Sequence, residues 1–262
     1  MLVKVIAVQA RMGQELPLEQ KIHIFKHRPD FVCLPEYWRL DSESGDYHRA
    51  ALSFADHLNY LARLSDELST CLIGGTVVEP SHDRLLNTCI VFDRGREIGR
   101  YRKRRPVPGE ASRGISAGDR TLVFDLDGVR AAIMVCGDVF YPELYDELAR
   151  EGVDLIFIPT TSPLRVSDTI SMKQERDRRY FTAGALQVGA YVCKVCGVGA
   201  IFGKPLQGRS LITAPWGMIA RVDYRREAEE QLLAAVLDIG EVREFRRKLR
   251  LIAPEQDINL HP

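Results

Sequence analysis

No apolar run in the 262-residue chain approaches the length needed to cross a bilayer. Net charge is also missing: 36 basic residues offset 36 acidic ones, which argues against nucleic acid or an anionic membrane as a partner. Internal repeats, low-complexity tracts and linker-like segments are absent. The chain therefore reads as one domain, 1–262, long enough to bury a large core, with 253–262 as a peripheral tail. The start, Met1-Leu-Val-Lys-Val-Ile-Ala-Val8, is too short and too strand-like for a signal peptide. Six cysteines at 33, 71, 89, 136, 193 and 196 sit mostly in apolar stretches, the pattern of reduced thiols in a cytoplasmic protein rather than a disulfide frame.

Metal-ligand spacing is equally scarce. Cys193 and Cys196 form a nominal CxxC, but they lie in a predicted strand, where residues three apart face opposite sides. No second pair or nearby histidine completes a zinc set. His23 and His27 are four apart in a predicted helix and have no third ligand. Neither a metal nor another cofactor is called for. The basic cluster Arg102-Lys-Arg-Arg105 reads as a solvated turn with one functional lysine inside, in preference to a phosphate patch.

What is present is a set of three reactive groups, each at the outgoing end of a predicted strand. The apolar run Ala131–Val135 ends at Cys136, in the turn Cys136-Gly-Asp-Val-Phe-Tyr-Pro-Glu143. A thiol so placed, near turn amides and positive charge, is expected to have a lowered pKa and to act as a nucleophile. Phe31–Leu34 stops at Pro35-Glu36, and a poorly solvated carboxylate suits general-base work. The strand ending at Arg102 delivers Lys103. Each has a dull alternative: a small core residue, a helix cap, and one charge in a basic run. Their joint placement, at ends where layered α/β proteins build sites, points to acyl transfer.

The motifs around these residues resemble those of the nitrilase superfamily, the carbon–nitrogen hydrolases. Leu34-Pro-Glu36 is similar to the family's glutamate block, Tyr101-Arg-Lys103 to its lysine block, and Cys136-x-Asp138-x-x-Tyr141-Pro-Glu143 to its cysteine block. Leu86-Asn87-Thr88, Gly118-Asp119, Gly208-Arg-Ser210 and Pro215-Trp-Gly217 fall in family order, so the resemblance covers nearly the whole chain. It departs at Gly137, where many relatives carry an aromatic or an acid. It departs also at Gly184, Gln187 and Val188, where an Arg-Ala-x-Glu-Asn pattern is usual, and at Cys196, where asparagine is common.

Periodicity places strands near 2–9, 31–34, 71–79, 88–93, 97–101, 121–125, 130–135, 154–159, 190–198, 209–214 and 231–238. Helices are expected near 16–27, 47–69, 142–151, 168–189 and 240–250. This order gives an α/β protein of mixed sheets with helices outside. The resemblance implies the four-layer α-β-β-α sandwich and a homodimer or larger homo-oligomer. It also implies a Glu36–Lys103–Cys136 triad, supported by Glu110 and the backbone N–H of Gly137, that cleaves a small linear amide. The irregular stretch 106–114 is expected at the pocket mouth. Tyr37, Trp38, Tyr141 and Thr161 follow strand ends and are candidate pocket residues. An N-carbamoyl compound or a nitrile is an alternative substrate, and a silent binding module of the same fold is the reading outside enzymes.

Overall fold

The computed structural model describes residues 1–40 and 46–252, without the side chains of 250–252; the tail 253–262 lies outside the described residues. The chain begins with β1 (Leu2–Gln9), α1 (Leu18–His27), β2 (Phe31–Cys33), α2 (Tyr47–Leu52) and α3 (Phe54–Glu67). Next come β3 (Cys71–Ile73), β4 (Val77–Ser81), β5 (Arg84–Asp93), β6 (Arg96–Arg102), α4 (Pro108–Ala111) and β7 (Ile115–Ser116). A second half opens with β8 (Leu122–Leu126), β9 (Val129–Ile133), a 3-10 turn (Cys136–Phe140), α5 (Pro142–Arg150) and β10 (Leu155–Thr160). It continues through α6 (Ile170–Asp177), a π-helical turn (Arg178–Thr182), α7 (Ala183–Val188) and β11 (Tyr191–Cys196). It closes with β12 (Gly199–Ile201), β13 (Lys204–Leu206), β14 (Leu211–Ala214), β15 (Gly217–Arg221), β16 (Gln231–Asp238) and α8 (Ile239–Ile252).

Among the described residues the strands form two large sheets and one hairpin. The first sheet runs β16-β1-β2-β3-β5-β4, with β6 and β7 also on β5. The second runs β15-β14-β11-β10-β9-β8, and β12 pairs with β13. In β1, Val3, Val5 and Ala7 point toward the other sheet, while Ile6 and Val8 point toward α1 and α3; this two-sided burial explains its near-continuous apolar sequence. The core between the sheets joins those residues to Phe31, Phe157, Tyr191, Val195 and Ile212. On the outer face of the second sheet, Leu144, Tyr145, Leu148, Ala185 and Val188 from α5 and α7 cover Ile156, Ile158 and Val192. The layers are thus α-β-β-α.

Three boundaries differ from the sequence reading. The strand expected over 71–79 breaks at Gly74-Gly75. Gly75 has φ +65°, and a Cβ there would lie 2.1 Å from the Pro35 carbonyl oxygen, so the chain turns against the segment that carries Glu36. The helix expected over 47–69 is interrupted at Ser53, and the one over 168–189 contains the π-helical turn after Asp177. Residues 106–114, read as irregular, contain α4, where the Glu110 carboxylate accepts from Val107 N at 2.8 Å. The hairpin β12–β13 and the strands β7 and β15 were not expected, being short and rich in glycine, proline or polar residues.

Candidate active site

Glu36 sits three residues past β2, with no solvent exposure. Its turn is fastened by Thr76 Oγ1, which accepts from Tyr37 N at 2.9 Å, and by Leu34 N donating to Ile73 O at 2.9 Å. Every oxygen of the carboxylate is occupied. Oε1 accepts from Lys103 Nζ and Asn87 Nδ2, both at 2.9 Å; Oε2 accepts from Thr161 N at 2.8 Å and Thr161 Oγ1 at 2.7 Å. Burial pushes the carboxyl pKa up, but the Lys103 charge and the bonds from Lys103 and Thr161 outweigh it. Glu36 is held below the usual carboxylate range.

Lys103 follows β6 directly and is 1% exposed. Its ammonium also donates to Glu110 Oε2 at 2.6 Å, while Glu110 Oε1 accepts from Tyr37 OH at 2.7 Å and Asn87 Nδ2 at 2.8 Å. Burial alone would lower the lysine pKa; Glu36, Cys136 and Glu110 raise it above the ordinary lysine value, so the ammonium stays charged. Asn87 in β5 spans the two carboxylates. The sequence reading used it only as part of a motif, although a polar residue inside the apolar run 85–92 is itself a signal.

Cys136 lies three residues past β9 at φ +44°, a left-handed conformation that costs energy in a non-glycine residue and here turns the thiol out of the sheet. Asp138 fixes that turn. Its Oδ2 accepts from Val135 N at 2.9 Å and Tyr101 OH at 2.8 Å, and its Oδ1 accepts from Arg105 N at 2.9 Å. The cysteine turn is thereby tied to the strand that delivers Lys103. The thiol donates to Thr161 O at 3.5 Å.

One expectation is corrected. The thiol pKa is raised, not lowered: burial and then the Glu36 charge push it up, and Lys103 offsets only part of this. Positive charge is close by, but it is already shared between two carboxylates. Gly137 is required by space, because a Cβ would come 2.6 Å from Val107 Cγ1 and 3.9 Å from Lys103 Cε.

Cys136 and Thr161 open onto a cavity of about 320 Å³, lined also by Val107, Phe140, Tyr180 and Phe181. Glu36 and Lys103 are not on its wall; they sit behind Thr161 and Gly137 respectively. Thr161 is thus the one of the four candidate pocket residues on the cavity surface. Tyr37 is buried, stacked on Tyr47 at 5.1 Å with its hydroxyl on Glu110. Trp38 lies in the helix-side core with Ile6, Val8 and Tyr60, because its strand-end position points into that layer. Tyr141 faces solvent with Arg105 over its ring at 4.9 Å. Gly184, Gln187, Val188 and Cys196 are away from the cavity wall. At Gly184 a Cβ would lie 2.3 Å from Tyr145 Cζ, so that ring takes the space of any larger side chain.

The basic run is fully paired: Arg102 with Glu79, Arg104 with Glu147, and Arg105 with Glu143. Cys193 joins the inter-sheet core. Among the described residues no group of three or more His, Cys, Asp or Glu side chains can hold a metal, and no helix is long and apolar enough to cross a membrane.

Residues 10–247 match the model of the carbon–nitrogen hydrolase family, to which the chain belongs. The 2-oxoglutaramate amidase of Bacillus subtilis is 25% identical over 229 residues, which cover 84% of this chain and 82% of that protein. The human omega-amidase NIT2 is 26% identical over 207 residues, covering 72% and 69%. A carbon–nitrogen hydrolase from Helicobacter pylori superposes with a TM-score of 0.81 over 98% of this chain and 96% of its own, at 18% identity, which establishes the shared nitrilase fold.

Proposed function

We propose that the protein is an amidase-like carbon–nitrogen hydrolase that cleaves a small linear amide through a thioester on Cys136. One observation carries this reading: a half-buried thiol on a cavity wall, backed by the buried Glu36–Lys103–Glu110 set. The amidase names of the two curated relatives support it.

At rest the thiol keeps its proton and Glu36 is ionised. As Sγ attacks the amide carbon, the S–H proton passes to Glu36 and the carbonyl oxygen becomes an oxyanion. Lys103 Nζ and Gly137 N–H are its donors, each worth about 3–4 kcal/mol when fixed in advance. The protonated Glu36 then delivers its proton to the leaving nitrogen as the C–N bond breaks, leaving an acyl thioester and ammonia or an amine. Water deprotonated by Glu36 attacks the thioester, and the thiol recovers its proton as the acid departs. Because the thiolate is not preformed, proton transfer is coupled to attack on bound substrate. Glu110 orients Lys103. The unpaired thiols, most of them buried, support a reducing, cytoplasmic setting.

The test is intact-protein and peptide mass spectrometry during turnover of a panel of amides, carbamoyl amino acids and nitriles. An acyl adduct is expected on Cys136, with ammonia release abolished in Cys136→Ala. Full-rate release by that variant, or an adduct on Cys33 or Cys196, refutes the assignment.

A further inference from the structure

The carboxylate that must take the thiol proton has no vacant acceptor position. An ionised carboxylate offers about four lone-pair sites. Glu36 spends them on Lys103 Nζ, Asn87 Nδ2, Thr161 N and Thr161 Oγ1. Nor does the thiol bond to it: among the described residues its hydrogen bond runs to Thr161 O, at 3.5 Å. Glu36 has no solvent exposure and lies off the cavity wall, whereas Cys136 and Thr161 are both on it. A proton leaving the sulfur therefore meets Glu36 through one of the groups already bound to it.

Three of those four groups cannot carry it. The Lys103 ammonium has no lone pair to accept a proton. The Asn87 amide nitrogen and the Thr161 peptide nitrogen donate only. A hydroxyl is different, because it accepts and donates at one atom and its hydrogen rotates to suit. Thr161 Oγ1 lies 2.7 Å from Glu36 Oε2, on the residue whose carbonyl already holds the thiol. The peptide N–H of the same residue, 2.8 Å from the same oxygen, fixes the threonine against the base.

We propose that the Thr161 hydroxyl is the proton relay between Cys136 and Glu36. As the Sγ–C bond forms, the S–H proton moves to Thr161 Oγ1 and the threonine's own proton moves to Glu36 Oε2. The sulfur uses the electron pair of the S–H bond for the new bond, and the carbonyl π pair goes to oxygen. Threonine ends neutral, one proton exchanged for another, and Glu36 ends as the carboxylic acid. The path runs backward when Glu36 protonates the leaving nitrogen, and forward again for the attacking water. This deepens the thioester mechanism and rests on Cys136 as nucleophile and Glu36 as base.

Acylation by 4-nitrophenyl butyrate isolates the first transfer, because nitrophenolate departs without a proton. Rapid-mixing rates are compared for full-length wild type, Thr161→Val and Thr161→Ser, with Cys136→Ala as the blank. Both Thr161 substitutions keep the peptide N–H and C=O. Valine is expected to slow acylation roughly 10²-fold, the low end for a positioned proton transfer, and serine to stay within about threefold of wild type. Losing the hydroxyl also raises the Glu36 carboxyl pKa, which moves the acid limb of the valine profile to higher pH. A relay leaves a deficit that persists above that limb, where Glu36 is ionised in both proteins and burial still keeps the thiol protonated. Curves that converge there, or a serine variant as slow as the valine one, overturn the relay. Should the valine protein fail to fold, wild-type rates in mixtures of light and heavy water decide. Two protons in flight bow the plot of rate against deuterium fraction, and a straight line overturns the relay. Ester acylation of Cys136 with the relay signature, but no ammonia from any amide, removes the amidase reading and leaves the relay. Equal ammonia release by wild type and Thr161→Val does the reverse.

Discussion

Behind Cys136 one ammonium, Lys103, faces two carboxylates, Glu36 and Glu110, whereas across the wall formed by β11 and the β14–β15 hairpin five cations face three carboxylates. The two clusters are unbalanced in opposite senses around one cavity. Burial first, and then the negative cluster, keeps the nucleophile protonated, so Cys136 is not a standing thiolate open to any electrophile. The positive one holds a buried donor, Arg209 Nε, with no acceptor among the described residues.

Removing the shared cation is the severest way to break this arrangement. In Lys103→Met two buried carboxylates would face each other with no cation between them, only the Asn87 amide. A loss of about 3–5 kcal/mol in stability is expected from the broken buried pair. Amide turnover should fall by roughly 10²–10³ or more from the lost oxyanion donor. Denaturant melts and ammonia release check the two effects, and a variant of unchanged stability would show that Lys103 does not hold the carboxylates together. A gentler probe trims the support of Glu110. Tyr37→Phe deletes one hydrogen bond, worth about 1 kcal/mol, so roughly a fivefold fall in kcat with little change in KM is the expected outcome. A KM effect alone would instead put Tyr37 in contact with substrate.

The reactive residues were legible because each stands at the end of a strand: Glu36 and Cys136 close apolar runs, and Lys103 follows the polar strand that ends at Arg102. Their convergence follows from parallel β2 and β9–β10 ending on the same edge of two stacked sheets. Aromatic residues after strands were a poor guide. Trp38 and Tyr37 turned inward because the Glu36 turn, pressed by Gly75, directs them into the core and onto Glu110. The positive wall went unread although Lys194 interrupts the apolar strand Tyr191–Cys196. Its partners Asp177, Arg209 and Arg221 come from separate elements, and only the packing of α6 on the second sheet joins them. The direction of the thiol shift was missed for a similar reason: the lysine was visible in the chain, but the burial of the thiol and the sharing of that lysine between two carboxylates are properties of the fold.

Alkylation of Cys136 by iodoacetamide as a function of pH, followed by peptide mapping in the wild type and in Glu36→Gln, tests the coupling between base and nucleophile most directly. In the wild type the rate should keep climbing as pH rises past the free-thiol value of about 8.5, since burial and the Glu36 charge disfavour the thiolate. Deleting that charge should move the curve to lower pH and speed alkylation near neutrality, while amide turnover drops by about 10²–10⁴ for want of the base. Coincident alkylation curves for the two proteins, or a wild-type plateau below pH 8, would contradict a nucleophile held in its thiol form by burial together with the carboxylate that activates it.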